Sequence, residues 1–394
     1  MIRRLLIPIL CALALASCTT VLPLTEEEGL TTQVHWDFAW QDGTPTQQPD
    51  FFLVALLRTF STEHLVFAVN PVNAQPVKLS IGDYLAVGAG CVPMDAYSLV
   101  YIPEGGTAQP IEETVTPTDP EQGGSEEQSG DNDENNEDEG TKADGEGDEP
   151  SANSWDPASY YAQIHDLTVD QINEKYGTHG WLDPSFPVLE DAQPLYISKA
   201  HQELLGGDAP EVLKLETHSA VQEITVRCTL QTEGDVVIDE VVASMCGTAR
   251  RVQVVSGAVS FDNGQLGQNI FFLQNVGGNT WEGSFRCLGL FPAEQSDFSF
   301  GPGMLQLHIH ATTGPITRYL EARINLKNLI EQAKILENPA GSSYYTITSR
   351  TATLTIEKPL EITEESVHAD GEIFIEWDED NDVYNDANGD PLEF

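Results

Sequence analysis

Two histidines stand one residue apart on a predicted strand, and imidazole is a common ligand for metal ions. His308 and His310 flank Ile309, so both rings project from one face of the strand and could begin a metal site. Leu307 and Ile309 occupy the opposite, core-facing side, whereas Gln306 shares the polar side. We therefore expect a solvated polar face at this position rather than a metal centre.

The C-terminal region carries carboxylates at alternate positions, as the first half of a calcium-binding loop does. These are Asp378, Asp380 and Asp382, all oxygen ligands of the kind that calcium prefers. However, Val383 stands at the sixth position, where the loop needs glycine for its turn, and no helix is predicted on either side. The pattern favours an exposed acidic tail, with these three residues as its calcium candidates.

Four cysteines remain for structural or redox chemistry beyond the N-terminal region: Cys91, Cys228, Cys246 and Cys287. No C-x-x-C pair occurs, which argues against zinc binding and against thioredoxin-like redox activity. An exported protein can form disulfides, so a bridge between Cys228 and Cys246 is one prediction. Buried free thiols are the alternative, and the sequence leaves both open.

The N-terminus has the pattern of a secretory signal with a lipid-attachment cysteine. Arg3 and Arg4 precede an apolar run over residues 5–16, which is too short to span a bilayer as a helix. The following Leu15-Ala16-Ser17-Cys18 resembles the lipobox of bacterial lipoproteins. We expect residues 1–17 to be removed, and Cys18 to carry acyl chains such as palmitate that attach the protein to a lipid bilayer.

Composition and motifs exclude several classes of function. The chain of 394 residues has 63 acidic and 18 basic residues, a net charge of −45 that opposes binding to nucleic acid or anionic lipid headgroups. It has no G-x-S-x-G elbow, no H-E-x-x-H and no G-x-x-x-x-G-K phosphate loop. We therefore expect neither an enzymatic activity nor a cofactor.

The elements that would position these residues are predominantly strands. Residues 34–40 alternate apolar and polar side chains, and residues 51–60 and 65–69 are apolar enough for buried strands. Gly82-Asp83 predicts a hairpin turn between strands over 77–81 and 84–87, with the Tyr84 hydroxyl in solvent. Further strands are predicted at 221–230, 236–245, 251–255, 269–272, 281–287, 304–310, 318–324, 345–356 and 374–377, and short helices at 168–177 and 326–336.

Many short strands separated by Gly, Asn and Asp predict an all-β fold with two β-sandwich domains. Residues 121–150 contain 13 acidic residues, one basic residue and no aromatic ring, so we expect them to be disordered. The predicted organisation places a tether at 18–30 and an N-terminal sandwich at 31–102, completed by part of 155–187. It then places a disordered acidic insertion at 103–154, a C-terminal sandwich at 188–377 and an acidic tail at 378–394.

Several segments together resemble the fimbrillin-associated anchor (FimB-like) lipoproteins of Bacteroidetes, including a related domain of unknown function in gut species. The segments that carry the resemblance are Ser17-Cys18, Val34–Trp40, Leu79–Tyr84, Gln193–Tyr196, Gly283–Phe285 and Gly371–Trp377. The resemblance covers most of the chain except residues 103–154. The long acidic insertion departs from the pattern of the family.

The resemblance implies transthyretin-like or Ig-like sandwiches on an outer-membrane lipoprotein that is exposed at the cell surface. It also implies a minor fimbrial subunit or anchor, whose partners are pilin subunits joined by β-strand complementation. The alternative is a surface lipoprotein that binds glycans or host proteins without joining a fibre. Under that alternative, aromatic residues between Trp155 and Trp181 would form an exposed stacking platform for sugars.

Overall fold

The computed structural model describes most of the chain from residue 31 to residue 363 and two short segments beyond it. The described ranges are 31–59, 64–102, 109–110, 156–177, 180–207, 209–261, 263–293, 301–339, 342–363, 367–368 and 383–385. Within these ranges, the regular structure consists of 24 strands, two short α-helices and two 3₁₀ helices, at Pro157–Ser159 and Asn263–Gln265. The predicted all-β class is confirmed.

The strands divide among four sheets, in which sequence neighbours often belong to different sheets. Those before residue 220 are β1 (Thr31–Trp40), β2 (Phe52–Arg58), β3 (His64–Val69), β4 (Val77–Ser80), β5 (Gly82–Cys91), β6 (Tyr97–Tyr101), β7 (Gln109–Pro110), β8 (Tyr160–Ile164), β9 (Leu195–Leu204) and β10 (Glu211–Ser219). Those after it are β11 (Gln222–Thr232), β12 (Val236–Ala249), β13 (Arg251–Gln253), β14 (Ala258–Ser260), β15 (Leu266–Gly277), β16 (Thr280–Cys287), β17 (Met304–Thr313), β18 (Ile316–Asn325), β19 (Leu336–Glu337), β20 (Tyr344–Ile347), β21 (Thr351–Thr355), β22 (Leu360–Ile362), β23 (Val367–His368) and β24 (Val383–Asn385).

The first sheet has seven strands in the order β3-β2-β5-β9-β10-β1-β4. Its strands β1, β2, β3, β5, β9 and β10 contribute to one apolar cluster, so the sheet curls around its own core. In β1 the predicted alternation is confirmed, because Val34, Trp36 and Phe38 are buried while His35 and Asp37 are exposed.

The boundaries of this sheet differ from the predicted domain boundary at residue 188. Strands β9 and β10, which the prediction placed in the C-terminal sandwich, are hydrogen bonded to β5 and β1 of the first sheet. The strand β8, which was expected to complete the N-terminal sandwich, belongs instead to a small sheet with the order β13-β8-β6-β7. The division into two domains stays a prediction.

The second sheet follows the order β23-β22-β11-β16-β15-β12-β17-β18-β24, with β21 also paired to β11. Its inner face is apolar and encloses a single cluster to which β11, β12, β15, β16, β17 and β18 all contribute. On β17, Leu307 and Ile309 are fully buried in this cluster, as predicted, and so is Leu305. A separate cluster joins the first sheet, the small sheet and one end of the second sheet.

Two helices cover parts of these sheets. Helix α1 (Val169–Tyr176) begins at Thr168, whose side chain and that of Gln171 form the predicted capping box, and it ends at Gly177. Helix α2 (Lys327–Ala333) is shorter than predicted, because the chain returns to a strand at Leu336. In the described part of the chain, no helix has both the length and the apolar character to cross a membrane.

Several local predictions were wrong. The hairpin over residues 77–87 does not form, because β4 pairs with β1 and β5 pairs with β2 and β9. Tyr84 is buried, and its hydroxyl donates a hydrogen bond to the Ser80 carbonyl at 3.0 Å instead of reaching solvent. The predicted strand 345–356 is two strands, β20 and β21, in different sheets.

Two predicted irregular regions contain short strands. Residues 109–110, within the predicted disordered insertion, form β7 beside β6. Residues 383–385, within the predicted acidic tail, form β24 beside β18. The remainder of the insertion, residues 103–108 and 111–154, lies outside the described residues, as does the rest of the tail.

Candidate functional site

The strand β1 has a paired side and a side that is only partly paired. On one side it runs parallel to β10 over Val34–Trp40. On the other side β4 pairs with Thr31–Val34 and then ends. Among the described residues, no strand pairs with that side of β1 beyond Val34, so residues 35–40 form a free sheet edge.

The hydrogen bonds at the end of β1 show which backbone groups face this edge. The backbone N–H of Gln41 donates to the Thr217 carbonyl at 2.8 Å, so Gln41 bonds toward β10. Because backbone groups alternate between the two sides of a strand, Asp37 and Ala39 also face β10. The N–H and C=O groups of Phe38 and Trp40 therefore face the free edge, where a further strand could bond to them.

Aromatic packing holds the edge in place. The ring of Trp36 lies 5.7 Å from that of Phe67, and Phe38 lies 4.6 Å from Phe52, both measured between ring centroids. Trp40 meets Tyr196 edge to face at 5.2 Å. Since these side chains point into the core from β1, the strand keeps its extended geometry without a neighbour on its free side.

Polar contacts fix both ends of the free segment. The indole N–H of Trp36 donates to the Gln75 carbonyl at 3.1 Å. Beyond the strand, the Asp42 carboxylate accepts from the Ser219 backbone N–H at 2.9 Å and lies 3.3 Å from the Arg350 guanidinium. These contacts hold the free segment in place at both ends.

Among the described residues, the edge strands β3 and β18 differ from β1. On β3, the alternate residues His64, Val66 and Ala68 each make a further interaction. The strand β18 pairs with β24 and makes further interactions at Arg318 and at other positions toward its end. These contacts make β1 a better candidate for an acceptor edge than β3 or β18.

The predicted solvated face around His308 is not solvated. Trp181 covers His308, with the two rings parallel within 9° and their centroids 5.2 Å apart. Tyr319 stacks on the other side at 5.0 Å and also contacts His310 at 4.9 Å. The predicted solvated face is wrong because α1 and the segment after it pack onto the outer face of the second sheet. The alternation of residues along the strand carries no information about this packing.

The predicted exposed platform of aromatic residues is also absent from the described part of the region. Trp181 is 4% exposed and Tyr160 is fully buried, so neither ring is available to stack on a sugar in solvent. Tyr176 packs against Phe272 at 5.5 Å. Trp155 lies outside the described residues.

Cys228 and Cys246, the predicted disulfide pair, are free thiols in the structure, as are Cys91 and Cys287. Cys228 lies on β11 and Cys246 on β12, with β16 and β15 between them in the sheet. Three strand spacings amount to about 14 Å across the sheet, whereas a disulfide needs Cα atoms within about 7 Å. Burial raises the pKa of the Cys228 thiol to about 12, so it is a poor nucleophile.

The remaining predicted site residues cannot be placed. Cys18, the predicted lipid attachment site, and the calcium candidates Asp378, Asp380 and Asp382 lie outside the described residues. Within the described ranges, no three His, Cys, Asp or Glu side chains are grouped as a metal site requires.

Sequence reasoning did not locate the free edge of β1 or a buried carboxylate at Asp183. The alternation in residues 34–40 predicts a strand but carries no information about how many neighbours that strand has. Asp183 stands in Trp181-Leu-Asp-Pro, where an acid before proline is typical of a surface turn, yet it is 1% exposed.

No protein-family model matches the chain, and no curated protein matches it. Solved structures to which it is similar include a candidate adhesin from Bacteroides ovatus, at 13% identity over 86% of this chain and 94% of the other, with a TM-score of 0.46. The fimbrial anchor protein Mfa2 from Porphyromonas gingivalis aligns at 12% identity over 88% and 98%, with a TM-score of 0.39. A fimbrial assembly protein from Parabacteroides distasonis aligns at 7% identity over 93% and 98%, with a TM-score of 0.30.

Proposed function

We propose that the protein is a non-enzymatic, surface-exposed lipoprotein of the outer membrane that accepts a β-strand from a fimbrial subunit. The observation that carries the proposal is the free edge of β1, where residues 35–40 lack a neighbour on one side among the described strands. Strand addition to such an edge is an established mode of protein recognition.

The chemistry of the edge defines what would bind. A partner must be extended, because only an extended backbone presents N–H and C=O groups at the spacing of Phe38 and Trp40. Backbone hydrogen bonds would supply affinity, and the exposed side chains of His35 and Asp37 would meet those of the partner strand on the outer face. A terminal or linker segment of another β-sandwich subunit has this form.

The position of β1 in the chain fits an anchor. The predicted lipid attachment at Cys18 is separated from Thr31 only by residues 19–30. Fully extended, such a tether reaches about 40–45 Å, so β1 would be held close to the membrane. A fibre whose last subunit donates a strand to β1 would thereby be fixed to the cell.

The described residues give no support to a catalytic role. The thiols of Cys228 and Cys287 have pKa values raised to about 12 by burial, which keeps them protonated. Burial lowers the pKa of His308 to about 4, far from the neutral range in which a general base works best. These groups are structural, in agreement with a binding protein.

Lipid attachment can be tested by growing cells with labelled palmitate. The wild-type chain should incorporate label and sediment with membranes, whereas Cys18→Ser should do neither. Labelling of the Cys18→Ser variant at the wild-type level would contradict attachment at this residue.

Membership in a fibre can be tested by purifying the tagged chain from membranes of its own bacterium. We expect pilin-type β-sandwich subunits to copurify, and deletion of the gene to change fibre length or fibre attachment. Retention of polysaccharide without any such subunit, together with unchanged fibres in the deletion strain, would instead indicate an independent glycan-binding lipoprotein.

A further inference from the structure

The parallel pair of β1 and β10 connects the N-terminal end of the described chain to the second sheet. Seven residues of β1, Val34–Trp40, are paired with Glu211–Thr217 of β10. Only residues 220–221 separate the end of β10 from the start of β11. Strand β11 lies inside the second sheet, with β16 on one side and both β21 and β22 on the other. A pull on the second sheet therefore reaches β10 at its C-terminal end.

A pull from the membrane would enter the same pair at its opposite end. The predicted lipid attachment at Cys18 precedes Thr31, the first residue of β1. Because the two strands are parallel, the N-terminal end of β1 lies beside the N-terminal end of β10, away from the start of β11. Tension between the lipid and the second sheet would therefore slide β1 along β10. In this shear geometry the evenly spaced hydrogen bonds of the parallel pair share the load.

The C-terminal end of β10 is fixed to the second sheet by buried contacts. Ala220 is buried, and its N–H donates to the Leu195 carbonyl at 2.9 Å. Both residues belong to the apolar cluster that joins the first sheet, the small sheet and the second sheet. The Asp42 carboxylate lies 3.3 Å from the guanidinium of Arg350, whose carbonyl accepts from the Glu223 N–H of β11 at 2.8 Å. A load on the second sheet is consequently passed to β10.

Core packing opposes the sliding of β1. Val34, Trp36 and Phe38 lie in the apolar cluster of the first sheet, whereas His35 and Asp37 are exposed on its outer face. Because side chains alternate between the two faces of a strand, a slip of one residue would turn the apolar set to solvent and the polar set into the core. Sliding therefore has to break backbone hydrogen bonds and core packing at the same time.

We propose that β1 and β10 form a mechanical clamp that carries tension between the lipid anchor and the second sheet. The clamp rests on the lipid attachment at Cys18 that belongs to the proposed function, and it is independent of strand acceptance at the free edge. Such tension arises whenever a partner or moving fluid holds the second sheet away from the membrane. Under this load β1 stays in place until its pairings with β10 break together, which requires more force than breaking them one after another.

Single-molecule force spectroscopy on residues 18–394 carrying Cys18→Ser tests the clamp by changing only the point of attachment. One handle is joined to the N-terminus. The other is joined to Asp235→Cys, in the exposed turn after β11, or to Ala209→Cys, which is exposed just before β10. The four native thiols of this chain are buried, so the introduced thiol is the one that reacts.

The two attachments load the same pair in different ways. Asp235→Cys loads it in shear, whereas Ala209→Cys pulls the two strands apart from their shared N-terminal end, one pairing at a time. At equal pulling speed, we expect the first unfolding event to need at least about twofold more force with Asp235→Cys, because the evenly spaced bonds then share the load. Equal forces, or a lower force with Asp235→Cys, would overturn the proposal.

A variant of β1 identifies the pairing that carries the load. The Asp37 N–H faces β10, and Asp37→Pro removes it without replacing a buried side chain. Asp37→Pro should lower the force in shear, whereas Asp37→Ala keeps the N–H and should leave that force unchanged. A folded Asp37→Pro variant with the wild-type force would also overturn the clamp, and the comparison of attachments decides the question if this variant does not fold. Neither readout involves palmitate, so a failure of lipid attachment is recognised separately.

Discussion

The burial of His308 depends on Trp181, which belongs to a segment far from His308 in the sequence. The residue is 7% exposed and lies between the rings of Trp181 and Tyr319, and neither imidazole nitrogen has a hydrogen-bond partner. The groups that face it include Glu321, whose nearest oxygen is 3.8 Å from Nδ1, and His310. Burial lowers the pKa of His308 to about 4, and His310 adds to the effect. The ring is therefore neutral at pH 7.

This burial predicts a specific dependence of stability on pH. Between about pH 6.5 and pH 4 the unfolded chain protonates His308 and the folded chain does not, so this residue lowers the free energy of unfolding as the pH falls. His308→Phe keeps a ring in the stack but removes the titration. From pH 7 to pH 5, the free energy of unfolding of the variant should rise relative to wild type by about 2 kcal/mol, measured with urea.

The control for this experiment is His35→Phe, which removes an exposed histidine on β1. If His308→Phe and wild type instead responded to pH in parallel, His308 would have to be solvated in the folded protein, as the sequence pattern alone had indicated.

At the scale of single elements, the absence of a side chain at Gly283 allows β16 to pack closely against β15. A Cβ atom added at Gly283 would lie 2.4 Å from the Phe272 carbonyl oxygen and 2.9 Å from the Phe271 ring. The same close packing lets Phe271 and Phe285 stack with their centroids 4.8 Å apart. The segment Gly283–Phe285 therefore has a packing role in the structure.

Substitution of this glycine should be costly. Gly283→Ala forces backbone or ring shifts in β15, and we expect the free energy of unfolding to fall by about 1–3 kcal/mol in urea. Ser284→Ala, the next residue on the same strand, loses only an exposed hydrogen bond to Thr225 and should cost less than about 1 kcal/mol. If Gly283→Ala and wild type unfolded at the same urea concentration, β15 and β16 could not be packed this closely.

Hydrogen exchange distinguishes the two sides of β1. In the free protein, the amides of Phe38 and Trp40 face the open edge and should exchange faster than those of Ala39 and Gln41, which face β10. Residue-resolved NMR measurements at neutral pH would detect the alternation. Uniform protection across these residues would mean that another segment of the chain already occupies the edge.

The elements that the sequence predicts correctly are those determined by local pattern. The alternation of apolar and polar residues predicts β1, and the capping pattern of Thr168 and Gln171 predicts the start of α1. The pairing partner of β1 was not predictable, because each of its residues pairs with a β10 residue 177 positions later, as Val34 does with Glu211. The Gly82-Asp83 turn signal failed for the same reason: packing of β4 and β5 against separate partners outweighs a local turn preference.

Site prediction had the same limit. The lipobox ending at Cys18 is a prediction that rests on a contiguous motif. The free edge and the burial of Asp183 exist only because distant segments meet: β1 with β10, and the segment 180–188 with β15 and β18. Neither arrangement leaves a contiguous pattern.

At the scale of the whole molecule, the negative charge is unevenly distributed. Residues 121–150 hold 13 acidic residues and one basic residue, and residues 357–394 hold 14 acidic residues and one lysine. These two regions contribute more than half of the net charge of −45. The sandwich surfaces themselves are only moderately acidic, so recognition by backbone hydrogen bonding at β1 does not have to overcome the full charge of the chain.

The proposed function depends on a fimbrial subunit pairing with β1, and photocrosslinking in living cells tests this pairing most directly. A photoreactive residue replaces Asp37, which is exposed on β1, or Lys199, which is exposed on β9 but flanked by β5 and β10. We predict that irradiation joins a fimbrial subunit to the chain labelled at position 37 and not to the chain labelled at position 199. Crosslinks to such a subunit at 199 but not at 37, or at neither position in fimbriated cells, would contradict the proposed role of β1.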